Sequence, residues 1–527
     1  MERVYTFDST LRDGAQAEGI SFSVDDKLKI LMLLDELKVD YVEAGNPGSN
    51  SKDLEFFRLA QSKTLKHTKL AAFGSTRRKN IKVEEDTNVQ ALLLANTDVI
   101  VIFGKSIEYH VKKVLNTTLE ENLEMIYSTL NFFTKKGKEV IFDAEHFFDG
   151  YKANKDYAIK TILTAEKAGA TTIVLCDTNG GTFPEEMGEI VKEVSSKVKV
   201  KIGVHCHNDC AMAVANSIFA VKYGARHIQG TLVGFGERCG NANLSSIIAN
   251  LQLKQGYDLI GNSIKDLKSI AIKISEISNI NLNDQMPFIG NSAFSHKGGM
   301  HVDAVLKSPD TFEHMDPTLV GNERRVLTSE VAGRTTILSK IQSIDSSVDR
   351  DSKETTEIIN KLKELEFMGY QFEGAESSFE LLIRKLLGKY KPLFELIDLK
   401  IIHQQPYKEN MSTTAVVKIL VGEQVEISVG EGNGPVNALD MALRKVLENF
   451  YPNVKDIHLK DYKVRVLNGQ RATASKVRVL IESTDNNSTW NTVGVSTDII
   501  EASWIALVDS IEYKIIKDFE ENYKAFL

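Results

Sequence analysis

The chain has 527 residues, of which 42% are hydrophobic and 26% are charged, a composition typical of folded globular proteins and not of disordered ones. So long a chain exceeds one ordinary hydrophobic core, and we expect two or three domains. A net charge of −8 argues against a nucleic-acid-binding protein, which normally presents a basic surface. No apolar stretch approaches the roughly 20 residues that span a membrane. The chain begins on a strand pattern rather than a signal peptide, so we expect a soluble, cytoplasmic protein.

The first half of the chain alternates short β-branched segments with amphipathic helical segments, which is typical of βαβ units. Eight such units within residues 1–275 predict an α/β fold of the (β/α)8 TIM-barrel type, with an open doubly wound sheet as the alternative. Ser23 and Asp26 form a predicted capping box before a helix over residues 27–37. The predicted strands cover residues 4–9, 41–44, 69–73, 98–103, 139–143, 171–176, 201–205 and 227–232.

The pattern changes after residue 275, where strand periodicity is lost and helical segments rich in Lys and Glu follow. We therefore predict a helical linker region over residues 276–390 and a strand-rich α+β domain over residues 391–527, with Lys391-Pro392 as the boundary. This last part contains an internal repeat at an offset of 64 residues, which predicts two strand–strand–helix units packed on each other and on a second subunit. The repeated residues are Val429-Gly430, Ala438, Ala442 and Leu443, followed by Val493-Gly494, Ala502, Ala506 and Leu507.

Unusual polar residues follow the ends of most predicted barrel strands. The carboxyl ends of the strands of a TIM barrel converge on one pocket, so these residues predict an active site there. They are Arg12, Asp13, Glu43, Glu145, Asp177, Thr178, His205, His207 and the segment 237–241.

The pair His205 and His207 is the most specific of these features. Alternate residues of a strand face the same side, so both imidazoles point one way and Cys206 points the other. Two imidazoles and the carboxylate of Asp13 favour a divalent-metal site over two ordinary strand-end histidines. Cys206 and Cys210 do not favour zinc, because the strand turns Cys206 away and no second cysteine pair is present.

Three further features have competing interpretations. Arg12 beside Asp13 is either a surface ion pair or a fixed cation that stabilises an oxyanion next to a metal. The glycine-rich run at 234–240 does not predict NAD binding, because its third glycine is one residue late and no βαβ unit opens there. His301 and His296 share one loop segment, where a histidine is more often structural than catalytic, and the sequence does not separate them.

Taken in order, five motifs resemble the metal-dependent acyltransferases that include the 2-isopropylmalate, homocitrate and citramalate synthases. The five are Asp8-Ser9-Thr10-Leu11-Arg12-Asp13-Gly14-x-Gln16, Glu43-Ala44-Gly45-x-Pro47, Cys176-Asp177-Thr178-x-Gly180, His205-Cys206-His207-Asn208-Asp209 and Gly234-x-Gly236-Glu237-Arg238-x-Gly240-Asn241. The segment 295–303, the run Val331-Ala332-Gly333-Arg334 and the repeated C-terminal domain are similar as well, so the resemblance covers nearly the whole chain.

This resemblance implies a divalent metal, Mg²⁺ or Mn²⁺ with Zn²⁺ as the alternative. The metal ligands implied are Asp13, His205 and His207, with Asn241 as a nearby or weak ligand.

The resemblance also implies the roles of the reacting groups. Arg12 would polarise the ketone of a 2-oxo acid, Thr178 would hold its carboxylate, and Glu43 is placed with the substrate-binding residues. Glu145 would assist the base that deprotonates acetyl-CoA. His301 would be the catalytic histidine, reaching the barrel of a partner subunit in a homodimer. Phe312 departs from the family, since relatives often carry a tyrosine about there, and it puts any role of that tyrosine in doubt.

The run Phe142-Asp143-Ala144-Glu145-His146-Phe147-Phe148-Asp149-Gly150-Tyr151-Lys152 looks like the citramalate synthases, which condense acetyl-CoA with pyruvate on the way to isoleucine. A 2-isopropylmalate synthase using 2-oxoisovalerate is the alternative, followed by a metal-dependent aldolase or lyase. The resemblance further implies that the C-terminal domain binds an end-product amino acid. Isoleucine is the expected effector, or leucine if 2-oxoisovalerate is the substrate. The loops at 430–435 and 494–497 are the expected binding places for its carboxylate.

Overall fold

A computed structural model describes residues 2–280, 282–326, 334–349, 352–408, 411–467, 475–485 and 488–524. The chain forms two compact units, Met1–Phe294 with Asp316–Arg324 and Ser295–Met315 with Arg325–Leu527. The finer divisions after residues 275 and 390 stay a prediction. None of the helices in the described part of the chain combines the length and hydropathy that a bilayer crossing needs.

The first unit contains eight parallel strands that close into a barrel in sequence order, the last strand pairing with the first. The predicted TIM barrel is therefore confirmed, and the open doubly wound sheet is wrong. The strands are β1 (Tyr5–Asp8), β2 (Tyr41–Glu43), β3 (Lys69–Ser75), β4 (Val99–Lys105), β5 (Glu139–Glu145), β6 (Thr172–Asp177), β7 (Lys201–Cys206) and β8 (His227–Gly230).

Helices connect these strands, and several of them begin at a residue whose side chain caps the first turn. The predicted capping box before the first helix is present, since the Ser23 hydroxyl accepts from the Asp26 N–H while the Asp26 carboxylate accepts from the Ser23 N–H. The helices of this unit are α1 (Val24–Glu36), α2 (Ser51–Ala60), α3 (Thr87–Leu94), α4 (Glu108–Lys113), α5 (Leu119–Lys135), α6 (Phe147–Ala153), α7 (Lys155–Lys167), α8 (Pro184–Lys197), α9 (Ala213–Lys222), α10 (Leu244–Ala249) and α11 (Leu267–Ile277).

The inside of the barrel changes from apolar to polar along its axis. Phe7, Tyr41 and Val174 belong to an apolar cluster of buried residues contributed by alternate positions of the strands. Two residues further along, the same alternation places Ser9 after β1 and Glu43 on β2. The side chains that carry chemistry therefore share one end of a rigid closed sheet.

His227 on β8 is an exception within the apolar end. Its ring lies 5.3 Å from the Phe7 ring and 5.5 Å from the Tyr41 ring, and neither ring nitrogen has a hydrogen-bond partner. Burial lowers the pKa of His227 to about 3, so its imidazole is neutral in the folded protein at neutral pH.

We expect His227 to make the folded barrel less stable in mild acid. Below the unfolded-state pKa of about 6.5, the unfolded chain takes up a proton that the folded chain does not. The free energy of unfolding should therefore fall by about 1.4 kcal/mol per pH unit on going from about pH 6 toward 3. Urea unfolding of the wild type and of His227→Leu, at pH 7 and pH 5, measures this loss as a difference between the two proteins. Equal pH dependence in both would contradict it.

The second unit begins with short elements and continues into helices, as predicted for the linker region. Its elements are β9 (Ser295–His296), α12 (Gly299–Lys307), β10 (Arg325–Val326), α13 (Arg334–Ile344), α14 (Lys353–Met368) and α15 (Glu376–Leu386). The strands β9 and β10 pair in parallel. Of the family-like run 331–334, the first three residues lie outside the described residues, and α13 begins at Arg334.

The repeated domain contains two three-stranded antiparallel sheets, each followed by a helix. The prediction of two strands per copy is wrong by one strand. A register shift between Leu396 and Asp398 in the first copy recurs between Leu459 and Asp461 in the second, and it interrupts the alternation that marks a strand. The elements are β11 (Glu395–Lys408), β12 (Met411–Val421), β13 (Gln424–Gly432), α16 (Pro435–Leu447), β14 (His458–Val466), β15 (Val477–Thr484), β16 (Thr489–Ser496) and α17 (Ile499–Lys524).

The repeated residues explain how each helix packs on its sheet. A side chain at Gly430 would overlap the backbone at Ala438 and Ala442 of α16, and one at Gly494 would overlap the backbone at Ala502 of α17. The Val-Gly and Ala repeats thus bring strand and helix backbones into close approach. One continuous core of buried residues includes alanines and leucines from both helices.

Candidate active site

Asp13, His205 and His207 meet at the carboxyl end of the barrel. Asp13 lies in the turn after β1, His205 lies on β7 and His207 directly follows that strand. All three are buried, and one candidate ligand atom from each lies within 4.8 Å of the others. Nε2 of His205 is 3.3 Å from Nε2 of His207 and 3.6 Å from Oδ2 of Asp13. Three donor atoms therefore face one point.

The electrostatics of this group suit a divalent cation. Burial lowers the pKa of His205 to about 3 and also lowers that of His207, so both imidazoles are neutral and offer lone pairs. Although burial alone would raise it, the Arg12 guanidinium and a hydrogen bond from Asn241 hold the pKa of Asp13 below its ordinary value. One carboxylate and two neutral imidazoles form a donor set that binds Mn²⁺, Mg²⁺ or Zn²⁺. Cys206 lies on the opposite face of β7, where its side chain is buried near Ser217 of α9.

Asn241 completes this group from a neighbouring loop. Its Nδ2 donates to Oδ1 of Asp13 over 3.0 Å and to the Phe235 carbonyl over 3.1 Å. Its Oδ1 is buried without a hydrogen-bond partner, so the lone pairs of this amide oxygen are unused. Gly236 has a positive φ of 155°, and a side chain there would overlap the Asn241 amide. The glycine-rich run at 234–240 therefore makes room for Asn241.

Arg12 is held on two sides by carboxylates. Its Nε donates to Oε2 of Glu43 over 2.6 Å, and its Nη1 donates to Oδ2 of Asp13 over 2.8 Å. The guanidinium lies 3.8 Å from the centre of the Phe73 ring, and the Ser9 hydroxyl donates to the same Glu43 oxygen over 2.5 Å. The Arg12 side chain is only 14% exposed, so it is not a surface ion pair. The positively charged guanidinium beside the candidate metal ligands is therefore held in one orientation.

Thr178 follows β6, and its hydroxyl has a defined direction. Oγ1 accepts from the backbone N–H of His146 over 2.9 Å, and His146 takes a left-handed φ of 54° there. Because the lone pair facing His146 is used, the hydroxyl proton is left to donate to another acceptor. Glu145, the residue before His146, forms an ion pair with Lys105 at the end of the neighbouring strand β4.

The structure separates the two histidines of the segment 295–303. Nε2 of His296 lies 3.0 Å from the carboxylate of Glu313, and both side chains are nearly buried. His301 on α12 is exposed, and its ring stacks on Phe312 with ring centres 4.1 Å apart. Of the two, His301 is the one available to another surface. It belongs to the second unit, whereas the other predicted site residues belong to the first.

Three family models cover most of the chain. Residues 3–280 match the HMGL-like family, residues 288–368 match the homocitrate synthase post-HMGL domain-like family, and residues 373–515 match the LeuA allosteric (dimerisation) domain. The chain is 51% identical to an (R)-citramalate synthase of Aquifex aeolicus, over 99% of each chain.

The chain belongs to the 2-isopropylmalate, homocitrate and citramalate synthase family. An (R)-citramalate synthase of Geobacter sulfurreducens is 49% identical over 99% of each chain. A 2-isopropylmalate synthase of Pseudoalteromonas atlantica is 31% identical over 99% of this chain and 98% of its own. Membership of this synthase family, predicted from five motifs, is therefore confirmed.

Several residues of the site were not predicted from the sequence. Asp143 lies two positions before Glu145 on β5, and Gln229 pairs in register with His205 across β7 and β8. The signal for Asp143 was a second acidic residue on the same strand face. Gln229 carried no comparable signal, because a lone amide on a predicted strand has no special spacing. Phe73 and Lys105 are recognised only by what they contact.

Proposed function

We propose that this chain is an (R)-citramalate synthase, an acyltransferase whose acyl group becomes an alkyl group on transfer. It joins the methyl carbon of acetyl-CoA to the keto carbon of pyruvate, and water then releases CoA to leave citramalate, in a route to isoleucine. The observation that carries the proposal is Arg12 fixed beside the group formed by Asp13, His205 and His207. Five curated relatives of that name, 42–51% identical, support pyruvate over 2-oxoisovalerate.

The 2-oxo acid is bound by groups around the metal site. Asp13, His205 and His207, with Asn241 beside them, would hold Mg²⁺ or Mn²⁺, with Zn²⁺ as the alternative, and the bound cation supplies Lewis acidity for the keto oxygen. The Thr178 hydroxyl donates to the pyruvate carboxylate.

Arg12 stabilises the charge that forms on the former keto oxygen. Its guanidinium is preorganised by Glu43 and Asp13, so no reorientation is needed as the carbonyl oxygen becomes an alkoxide. Glu43 therefore acts on the substrate through Arg12.

Proton removal from the acetyl methyl is assigned to Glu145 and His301. The ion pair with Lys105 orients the Glu145 carboxylate at the carboxyl end of β5. The exposed imidazole of His301 supports its approach to the barrel of a partner subunit. Phe312 stacks on His301 but has no hydroxyl group. It therefore cannot donate or accept a proton as a tyrosine at this position could.

A cavity of about 420 Å³ beside Arg12 fits the arm of acetyl-CoA. It opens next to the guanidinium and is lined largely by polar side chains, which suit the amide groups of that arm. Among the lining residues are Gln16, Lys27, Asn46, Asn50, Lys52 and Phe73.

Thiol release tests the reaction and its substrate together. The purified protein with Mn²⁺ and acetyl-CoA is expected to release free CoA with pyruvate, less with 2-oxobutanoate and least with 2-oxoisovalerate. Each additional methylene in an apolar pocket is worth about 1–3 kcal/mol, so a preference of at least 10-fold in kcat/KM for pyruvate over 2-oxoisovalerate is expected. No thiol release with any 2-oxo acid would remove the transferase proposal. A preference for 2-oxoisovalerate would make the chain a 2-isopropylmalate synthase, and cleavage of a 3-hydroxyacyl-CoA would favour a lyase.

The C-terminal domain is proposed to dimerise and to bind isoleucine as an end-product inhibitor. The two candidate loops differ, because Asp498 already accepts from the Ile500 N–H at the start of α17. The start of α16 has Gly434 as its N-cap and no side-chain cap, which leaves its N–H groups for an amino-acid carboxylate. The first loop, at 430–435, is therefore the better site.

Isoleucine should inhibit the intact enzyme, with a coupling of about 5- to 150-fold in affinity, and leucine should have little effect. Gly434→Asp should abolish this inhibition, because its carboxylate takes the helix N-terminus and repels a ligand carboxylate. Gly434→Ala is the matched control, since a side chain at Gly434 meets nothing within 4 Å. If the intact enzyme ignores both amino acids, the domain serves dimerisation alone. If Gly434→Asp remains inhibited, the effector binds elsewhere.

A further inference from the structure

Gln229 on β8 lies completely buried between two groups of the active site. Its Oε1 is 3.1 Å from Nδ1 of His205, and its Nε2 donates to Oδ1 of Asp143 over 3.1 Å. Asp143 on β5 is itself 4% exposed. A hydrogen-bonded chain thus runs from a carboxyl group through an amide to an imidazole, and the reaction described above uses neither Asp143 nor Gln229.

The hydrogen bond between Asp143 and Gln229 fixes the direction of the next one, between Gln229 and His205. Nε2 of Gln229 donates to Oδ1 of Asp143, and a carboxyl oxygen accepts this hydrogen bond whether or not the group is ionised, so the amide turns its NH₂ group toward Asp143. The amide oxygen then faces His205, where it requires an N–H on Nδ1. A neutral imidazole carries one proton, so Nε2 is left with a lone pair, and this nitrogen faces Asp13 and His207.

We infer that Asp143 and Gln229 are positioning residues that hold His205 in the tautomer able to bind the metal through Nε2. With the opposite tautomer, Nε2 would carry a hydrogen and could not be a ligand. The inference rests on the metal centre of the proposed function and adds what orients one of its ligands. It also gives a physical role to the carboxyl group of Asp143, which is buried near the charged residues Arg12, Asp13 and Glu43.

The competing explanation is that Gln229 only fills space inside the barrel. Two variants of nearly constant volume distinguish these roles. Gln229→Met removes the acceptor for Nδ1–H of His205. The double variant Gln229→Glu with Asp143→Asn exchanges the amide and the carboxylate between the two positions. The amide on β5 can then donate to the carboxylate on β8, while that carboxylate still accepts from His205. The pair keeps one carboxyl group and one amide.

The measurement is Mn²⁺ binding to the full-length protein without substrates, followed by the electron paramagnetic resonance of free Mn²⁺. Loss of a hydrogen bond to a metal-ligating histidine typically costs about 10- to 100-fold in metal affinity, and this loss is expected for Gln229→Met. The double variant should bind Mn²⁺ with nearly wild-type affinity. A space-filling role predicts no such difference between the two.

The second readout is the tautomer itself, measured by nuclear magnetic resonance of ring-¹⁵N-labelled histidine in the metal-free protein. His205 is assigned by the signal lost in His205→Asn. The wild type and the double variant should carry the proton on Nδ1, and Gln229→Met should show a mixture of both tautomers. This spectrum remains informative if a variant binds metal poorly for another reason.

The inference is overturned if Gln229→Met keeps both wild-type Mn²⁺ affinity and the Nδ1–H tautomer, or if the double variant loses as much affinity as Gln229→Met. A wild-type protein that does not bind Mn²⁺, Mg²⁺ or Zn²⁺ would instead refute the metal centre of the proposed function. A wild type that binds metal but releases no CoA would refute the proposed reaction and leave the tautomer inference standing.

Discussion

Asp13→Ala is expected to abolish turnover and to weaken Mn²⁺ binding by more than about 100-fold, on the scale of losing one charged ligand of a metal. The carboxylate is the only anionic member of the group with His205 and His207, and its loss also removes the partner of Arg12 and Asn241. His207→Ala should have a similar effect, because it removes one of two facing imidazole nitrogens. Metal titration and the thiol-release assay measure both effects.

Cys206→Ser is the matched control for these variants. Cys206 lies between the two histidines in sequence, but its side chain is buried near Ser217 on the outer side of the barrel strand. Activity and metal content should therefore stay close to those of the wild type. Wild-type turnover of Asp13→Ala, or of a metal-stripped preparation, would refute the metal assignment, and loss of metal from Cys206→Ser would mean that the cysteine takes part.

Arg12→Lys is expected to lower kcat by at least about 100-fold, on the scale of removing one oxyanion donor, while KM for pyruvate changes less. An ammonium group keeps the charge, but it cannot bond Glu43 and Asp13 through separate nitrogens and still present a third donor in a fixed plane. It also loses the flat contact with the Phe73 ring. Steady-state kinetics with varied pyruvate separate kcat from KM.

An exposed arginine provides the comparison for this variant. Arg58 on α2 pairs with Glu55 one turn away and has a side chain that is 67% exposed, so Arg58→Lys should leave both constants unchanged. If Arg12→Lys instead raises KM with normal kcat, Arg12 binds the ground-state substrate and does not stabilise the oxyanion.

The barrel and the place of its site followed from the sequence because both depend on local rules. Alternating β-branched segments marked the eight strands, and their observed bounds differ from the predicted ones by two residues or fewer. Since parallel strands of a closed barrel share a carboxyl end, residues as distant in sequence as Asp13 and His205 were expected to be neighbours before any distance was known. The alternation within β7 likewise separated His205 from Cys206.

Other features depended on which strands are neighbours and in what register, and these only the tertiary structure decided. Gln229 matters because β8 places it opposite His205 and within reach of Asp143, and Lys105 matters because β4 ends beside Glu145. His296 and His301 are equivalent in the sequence, yet only His296 meets a buried carboxylate. Each of these contacts joins residues from different segments of the chain. Whether it forms depends on how those segments pack in three dimensions, and a local sequence pattern does not determine that packing.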